Sequence, residues 1–247
     1  MTILRTIWVL LHLIVSTILL GTCAIGLALF RYRGSGYWML SRTWCRWILW
    51  VSGTPVYVQG LEHVAADRPQ IIVANHVSWY DIFAIGAALP KHFRFVAKKE
   101  LARIPLFGRA WKSAGHISID RQDRAAAIQS LARAESALRS DNSALVLFPE
   151  GTRSADGRLQ PFKKGAFMLA LGTGVEVLPV AVIGTERIMR KNDWRVHPAA
   201  IILRFARPFR PGDYGEPGRD ALMRDVRGRI TDLLRDVPLE TAAARVS

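Results

Sequence analysis

The chain has 247 residues, half of them hydrophobic, which suits one substantial domain with an appendage or two small domains. Lys and Arg number 34 against 20 Asp and Glu, a formal net charge of +14 that points to an acidic partner: a phosphorylated substrate, an anionic membrane or nucleic acid. The only cysteines, Cys23 and Cys45, both sit in the apolar N-terminal part, so a disulfide framework is excluded, no Cys/His cluster suggests a metal, and metal-free, cofactor-free chemistry in a reduced compartment is expected.

Between Arg5 and Arg31 lie 25 residues without a charge, Thr6 to Phe30, dense in Leu, Ile and Val. A membrane-spanning helix needs about 20 apolar residues, and a signal peptide's apolar region is usually about 7–15. A retained membrane anchor is therefore expected rather than a cleaved signal. Arg31, Arg33 and a Gly34-Ser35-Gly36 turn lead into a second segment, Tyr37 to Val51, which mixes Trp38, Trp44, Trp47 and Trp50 with Arg42 and Arg46. Tryptophan and arginine together suit the boundary between lipid and water, and equally an amphipathic helix packed on a domain. Arginines after the first segment outnumber the single one before it. If that segment spans an inner membrane, the globular part faces the cytoplasm. A shallow hairpin dipping into one leaflet fits equally well.

A globular domain is expected from about residue 54. Val56–Val58 and Gln70–Ala74 read as strands, Tyr80–Leu89 as a helix ended by Pro90, and His92–Val96 as an alternating strand. A short helix over Phe107–Ser113 and a strand over His116–Ile119 follow. Asp123 can cap a helix to about Ser140, with Ile128, Leu131, Ala134 and Leu138 at helical spacing. Ala144–Phe148 reads as a buried strand, Gly165–Leu171 as a short helix, Val177–Ile183 and Ala200–Phe205 as strands. Leu222, Val226, Ile230 and Leu233 mark a last amphipathic helix. Strands alternating with helices predict an α/β domain with a mixed, largely parallel sheet flanked by helices. The expected division is 1–53 for the N-terminal hydrophobic, membrane-anchoring helical segment, 54–238 for the catalytic domain and 239–247 for a frayed tail.

Chemistry gathers where strands end. Directly after Ile71-Ile72-Val73-Ala74 comes Asn75-His76-Val77-Ser78-Trp79-Tyr80-Asp81. Histidine can take up and return a proton near neutral pH, and a carboxylate on its other ring nitrogen fixes the tautomer. Five positions do not share a helix face, so His76 and Asp81 can meet only if the histidine precedes the helix and the aspartate lies in its first turn. With no serine or cysteine nucleophile in the obvious place, the pair suggests a general base acting on a substrate hydroxyl. The spacing by itself fits surface polar residues before a capped helix equally well.

Pro149-Glu150-Gly151-Thr152-Arg153-Ser154 follows another strand, and ligands in open α/β sheets gather at the carboxyl ends of strands. Arg153 offers a planar fork for a phosphate, Gly151 permits close backbone approach, and Glu150 could accept from a substrate hydroxyl. The alternative is a tight turn with a Glu150–Arg153 surface pair. Asp120-Arg121, Lys98-Lys99-Glu100 and Lys163-Lys164 would add positive charge around one crevice, and each also reads as a solvated face. No recognition-helix cluster or basic sheet interleaved with aromatics supports a nucleic-acid partner.

Four blocks in order carry a resemblance: Asn75 to Asp81, Gly115 to Arg121, Phe148 to Ser154, and Leu178 to Val182, with Lys98-Lys99-Glu100-Leu101 and Ile104 to Gly108 between them. Over about Pro55 to Ile183 the chain resembles the 1-acylglycerol-3-phosphate (lysophosphatidate) acyltransferase family of glycerolipid acyltransferases. His116 and Leu178 depart from the residues more usual there. The resemblance implies transfer of a fatty acyl group from acyl-CoA or acyl-carrier protein to the 2-hydroxyl of a lysophospholipid acceptor at a membrane surface. It implies His76 as general base, Asp81 as its orienter, Arg121 and Arg153 with Lys98 or Lys99 on the phosphate, and Glu150, Gly151 and Thr152 on the acceptor. Another lysolipid acceptor, or a catalytically inactive membrane scaffold, are the alternatives.

Overall fold

The computed structural model describes residues 2–30, 32, 35–120, 123–140, 142–215, 218–235 and 244–245. The uncharged run folds as helix α1 (Thr2–Leu29), and the tryptophan-rich segment as α2 (Gly36–Val51). The domain then runs β1 (Val56–Gln59), β2 (Gln70–Ala74), α3 (Tyr80–Ala88), β3 (Phe93–Lys98), α4 (Phe107–Ser113), β4 (Ile117–Ile119), α5 (Arg124–Ser140) and β5 (Ala144–Leu147). It continues through α6 (Gly165–Thr173), β6 (Val177–Ile183), α7 (Thr185–Ile188), β7 (Ile201–Phe205), α8 (Arg219–Arg235) and β8 (Ala244–Arg245). The strands form one sheet in the order β4-β3-β5-β2-β6-β7-β1-β8. Strands β2 to β6 run parallel, β7 turns antiparallel on β6, and β1 is parallel to β7. The expected mixed, largely parallel sheet is therefore the observed one.

Strand β2 is central and buried at every residue: the apolar run Ile71–Ala74 suits a strand covered on both faces, and the buried Gln70 side chain accepts the Ala65 amide and donates to the His63 carbonyl. Period-two alternation divides it. Ile72 and Ala74 face the layer that contains α2, α3 and Trp111 of α4, while Ile71 and Val73 face α5, α6 and α8. On α5 the expected inward residues Ala134 and Leu138 are buried, whereas the side chains of Ile128 and Leu131 fall outside those described. Leu222, Val226 and Ile230 are fully buried from α8. The tail expected to fray lies outside the described residues except Ala244–Arg245, which pair antiparallel with β1.

Helix α1 inverts the usual pattern. Its buried positions are Thr6, Val9, Ser16, Gly21 and Ala24, mostly small or polar, while Ile3, Leu4, Ile7, Trp8, Leu11, Ile14, Ile18 and Leu19 are exposed. Small residues let its backbone approach the domain, and the large apolar side chains face outward, an exposed surface far beyond what water favours. Hydrogen bonds tie α2 to it: Trp44 Nε1 donates to Thr17 Oγ1 at 3.1 Å and Trp47 Nε1 to His12 Nδ1 at 3.1 Å. At its N-terminal end the Val196 amide donates to Thr6 Oγ1 at 3.0 Å. Near the other end Gly21 faces Ala110 and Leu106 of the α4 region.

Candidate active site

Because β2 to β6 are parallel, the loops that leave them open on one edge of the sheet. Asn75 finishes β2 and pins it to β6. Its Nδ2 donates to the Val182 carbonyl at 2.9 Å, and its Oδ1 accepts from the Val182 amide at 2.8 Å. His76 follows before the helix, and Asp81 lies in the first turn of α3, the one arrangement in which five positions can meet. Nδ1 of His76 is 2.7 Å from Asp81 Oδ2.

The same oxygen accepts the amides of Val77 at 2.7 Å and Ser78 at 2.9 Å, and the Thr185 hydroxyl donates to Oδ1. A fully buried carboxylate is costly unless its lone pairs are used, and here a helix N-terminus and four donors hold it. It has no room to turn away from His76. Phe148 stacks on the imidazole, ring centroids 4.1 Å apart and planes 19° off parallel. The His76 amide donates to Glu150 Oε1 at 2.7 Å, and its carbonyl accepts the Ser154 amide at 2.8 Å. With Nδ1 engaged, Nε2 is the ring nitrogen left for the pocket that His76 lines. Ser78 is no nucleophile in this arrangement, because its hydroxyl donates to the Met189 carbonyl at 2.8 Å.

The pocket, about 180 Å³, is lined by Lys98, Thr152, Arg153, Lys191, Trp79 and the His76–Phe148 stack, among others. Arg153 lies 5.1 Å over the Trp79 ring, a cation–π contact that fixes its fork. Burial pulls its guanidinium below the usual arginine value, and the Asp81 charge opposes that. Lys99 is turned aside and pairs with Asp120. Arg121 lies outside the described residues.

Glu150 differs most from expectation. It is 4% exposed, and its second oxygen accepts the Gln160 amide at 2.9 Å. Burial raises its carboxyl above the ordinary glutamate range while the amides of Gln160 and His76 pull it down. Both oxygens thus brace the two site loops against each other rather than facing the pocket. Gly151 sits at φ +74°, a backbone conformation that favours glycine, and the end of the Lys163 side chain lies against it.

Sequence reasoning missed Thr185, Lys191 and Phe148 as site residues. Thr185 was signalled by its place just beyond β6, at the same carboxyl edge as the two motif loops.

A second, apolar cavity lies between the N-terminal helices and the domain, walled by Leu20 and Gly21 of α1, Trp44 of α2, and Ala110 of α4. It shares Ile82, Phe95 and Trp111 with the His76 pocket, so the two adjoin. His116, on its wall, accepts the Phe95 amide on Nδ1 at 3.1 Å, and enclosure away from bulk water drops its pKa to about 3.

The chain belongs to the Acyltransferase family, which matches residues 55–183, more than half its length. A 1-acyl-sn-glycerol-3-phosphate acyltransferase from Cocos nucifera is 40% identical over 171 residues, covering 69% of this chain and 55% of that protein. One of the same name from Saccharomyces cerevisiae is 31% identical over 202 residues, covering 81% of this chain and 66% of the yeast protein. The chain therefore spans little more than half of the coconut relative. The crystal structure of the 1-acyl-sn-glycerophosphate (LPA) acyltransferase PlsC from Thermotoga maritima shares the fold at TM-score 0.77 and 28% identity, covering 96% of this chain and 99% of that one.

Proposed function

We propose that the protein transfers a fatty acyl group from a thioester donor, acyl-CoA or acyl-carrier protein, to the 2-hydroxyl of 1-acylglycerol-3-phosphate, giving phosphatidic acid for phospholipid synthesis. The observation that carries this reading is the His76–Asp81 pair, with Nε2 left to a pocket that Lys98 and Arg153 make basic. His76 Nε2 takes the proton of the acceptor hydroxyl as its oxygen attacks the thioester carbonyl carbon. The tetrahedral intermediate collapses, the C–S bond breaks, and His76 returns the proton to the leaving thiolate. Asp81 stabilises the imidazolium between the two steps. No acyl-enzyme is involved.

Arg153 and Lys98, with Arg121, hold the acceptor phosphate, and Thr152 lines its path. Glu150 and Gly151 act on the acceptor through the loop they shape. The apolar cavity beside the pocket takes the acyl chain. Helix α1 is fixed to the domain at Thr6 and near Gly21, so about 22 Å of it runs alongside the protein at 1.5 Å per residue. A helix docked over that length, with its large apolar side chains outward, fits immersion in the cytoplasmic leaflet of an inner membrane better than an upright span. Residues 1–53 then form the anchor of the catalytic domain at 54–238. The test is acyl transfer in detergent micelles, with lysophosphatidate beside a dephosphorylated monoacylglycerol, each with acyl-CoA and acyl-carrier protein. Product from the phosphorylated acceptor alone, absent in His76→Ala, is expected. Equal use of both acceptors would remove the phosphate grip from the reading, and an active His76→Ala variant would remove the base.

A further inference from the structure

The segment after β6 carries four Lys or Arg (Arg187, Arg190, Lys191, Arg195) against two carboxylates, Glu186 and Asp193. Lys191 lines the His76 pocket. Next to it Arg187, Arg190, Asp193, Arg195 and His197 line a separate cleft of about 420 Å³. A basic surface loop is usually a solvated face. This one is built as a rigid ledge on the catalytic motif. It starts with the Thr185 hydroxyl on Asp81, and the Met189 carbonyl accepts Ser78 Oγ. The His197 amide donates to the Ile188 carbonyl at 2.9 Å, and the Val196 amide to Thr6 Oγ1. Ile188 and Val196 are fully buried beneath it, so the guanidiniums project from a fixed backbone.

The charges on the ledge are not all committed. Asp193 grips Arg195 through both oxygens, Arg195 Nε to Oδ1 at 3.0 Å and Nη2 to Oδ2 at 2.9 Å, which braces that side chain. Glu186 is 3.7 Å from Arg187 across an exposed, weak pair. Arg190 has no carboxylate within salt-bridge distance among the described residues. Arginine forks match phosphate oxygens, and Trp194, 54% exposed on the same ledge, offers a flat face for a base. We propose that the Arg187–His197 ledge docks the phosphorylated adenosine end of a coenzyme A donor, whose arm then reaches His76 past Lys191. This rests on the acyl-transfer reading above, and it adds a second phosphate site distinct from the Arg153 and Lys98 pocket.

The experiment uses the full chain in detergent and the Arg187→Ala/Arg190→Ala variant, neither residue being part of the proposed acyl-transfer machinery. Calorimetry with adenosine 3′,5′-bisphosphate reads the site without turnover. Kinetics with acyl-CoA and with acyl-pantetheine, which lacks the nucleotide, read its use. Each lost arginine–phosphate contact is expected to weaken bisphosphate binding and to raise the KM for acyl-CoA by about tenfold or more, with acyl-pantetheine and lysophosphatidate kinetics unchanged. The proposal is overturned if the wild type does not bind the bisphosphate. It is equally overturned if acyl-pantetheine transfer falls in step, if only the acceptor KM moves (a lipid-headgroup site), or if only acyl-carrier-protein kinetics move (a protein-docking face). Should the wild type transfer acyl groups from no donor, the acyl-transfer reading fails on its own and the bisphosphate titration still decides the site.

Discussion

Asp81→Asn separates the electrostatic part of Asp81 from its structural part. The substitution keeps the shape of the side chain. Its amide oxygen can stay on the three donors now on Oδ2 (His76 Nδ1, Val77 N and Ser78 N) while the NH₂ turns to Thr185, whose hydroxyl can rotate to accept. His76 then keeps its orientation and tautomer but loses the negative charge beside its imidazolium. Charges about 4 Å apart attract by about 4 kcal/mol at an effective dielectric of 20. That is about a thousandfold in rate at 1.36 kcal/mol per factor of ten. It falls inside the range of about 10²–10⁴ that general acid–base catalysis contributes. The assay is kcat for transfer to lysophosphatidate, with circular dichroism and thermal unfolding to show a retained fold. Since the pair acts as one unit, Asp81→Asn in a His76→Ala background is expected to lower the rate little further. A single variant within tenfold of wild-type kcat would refute the reasoning and leave Asp81 as a loop anchor only.

Arg153→Ala removes the guanidinium held over Trp79 and is expected to raise the KM for lysophosphatidate by about 10- to 100-fold while the KM for the acyl donor stays unchanged; Michaelis curves for both substrates check this. Glu150→Gln places an NH₂ against one of two backbone amides that now donate to the carboxylate, so it is expected to cost about 1–3 kcal/mol of stability together with a fall in kcat, read by urea unfolding and turnover. Ala110→Leu fills the apolar cavity opposite Gly21 and is expected to shift donor preference toward shorter acyl chains in a competition among acyl-CoAs, at an overpacking cost of about 1–3 kcal/mol. His116, with a folded pKa near 3 against 6.5 in the unfolded chain, stays neutral while the unfolded chain takes up a proton. Its contribution is therefore lost as pH falls from 6.5 toward 3, by at most about 1.4 kcal/mol per pH unit. His116→Asn, which can still accept the Phe95 amide, is expected to flatten that slope in urea unfolding.

Element types were legible where one physical signal dominated. The uncharged run at Thr6–Phe30, the unbroken apolar strand at Ile71–Ala74 and the spacing of Leu222, Val226 and Ile230 each left little choice. Sheet order was not legible, because β2 sits between β5 and β6 through pairings distant in sequence, and β7 and β1 run opposite to β2–β6. At the site, the meeting of His76 with Asp81 followed from helix geometry once a helix start was placed between them. The inward turn of Glu150 did not. A glutamate at a loop tip reads as available, and only the folded position of the His76 and Gln160 amides shows both oxygens used. Thr185 and Lys191 were missed for a related reason: the motif blocks end at Val182, whereas the edge of the sheet does not.

The N-terminal helices also do more than a hydropathy plot assigns to them. Leu20 and Gly21 of α1 and Trp44 of α2 form one wall of the apolar cavity, and Ala110, Trp111 and Phe95 of the domain form the other. The face of α1 opposite that wall carries its large exposed apolar residues. A single helix thus presents Thr17, Leu20, Gly21 and Ala24 to the cavity and large apolar side chains to the outside. In water the outward face of α1 would be an aggregation surface, and with α1 detached the cavity would lose a wall and admit water beside His76. Under the membrane immersion proposed above, lipid that holds α1 against α2 and α4 would also keep the proposed acyl slot closed beside His76.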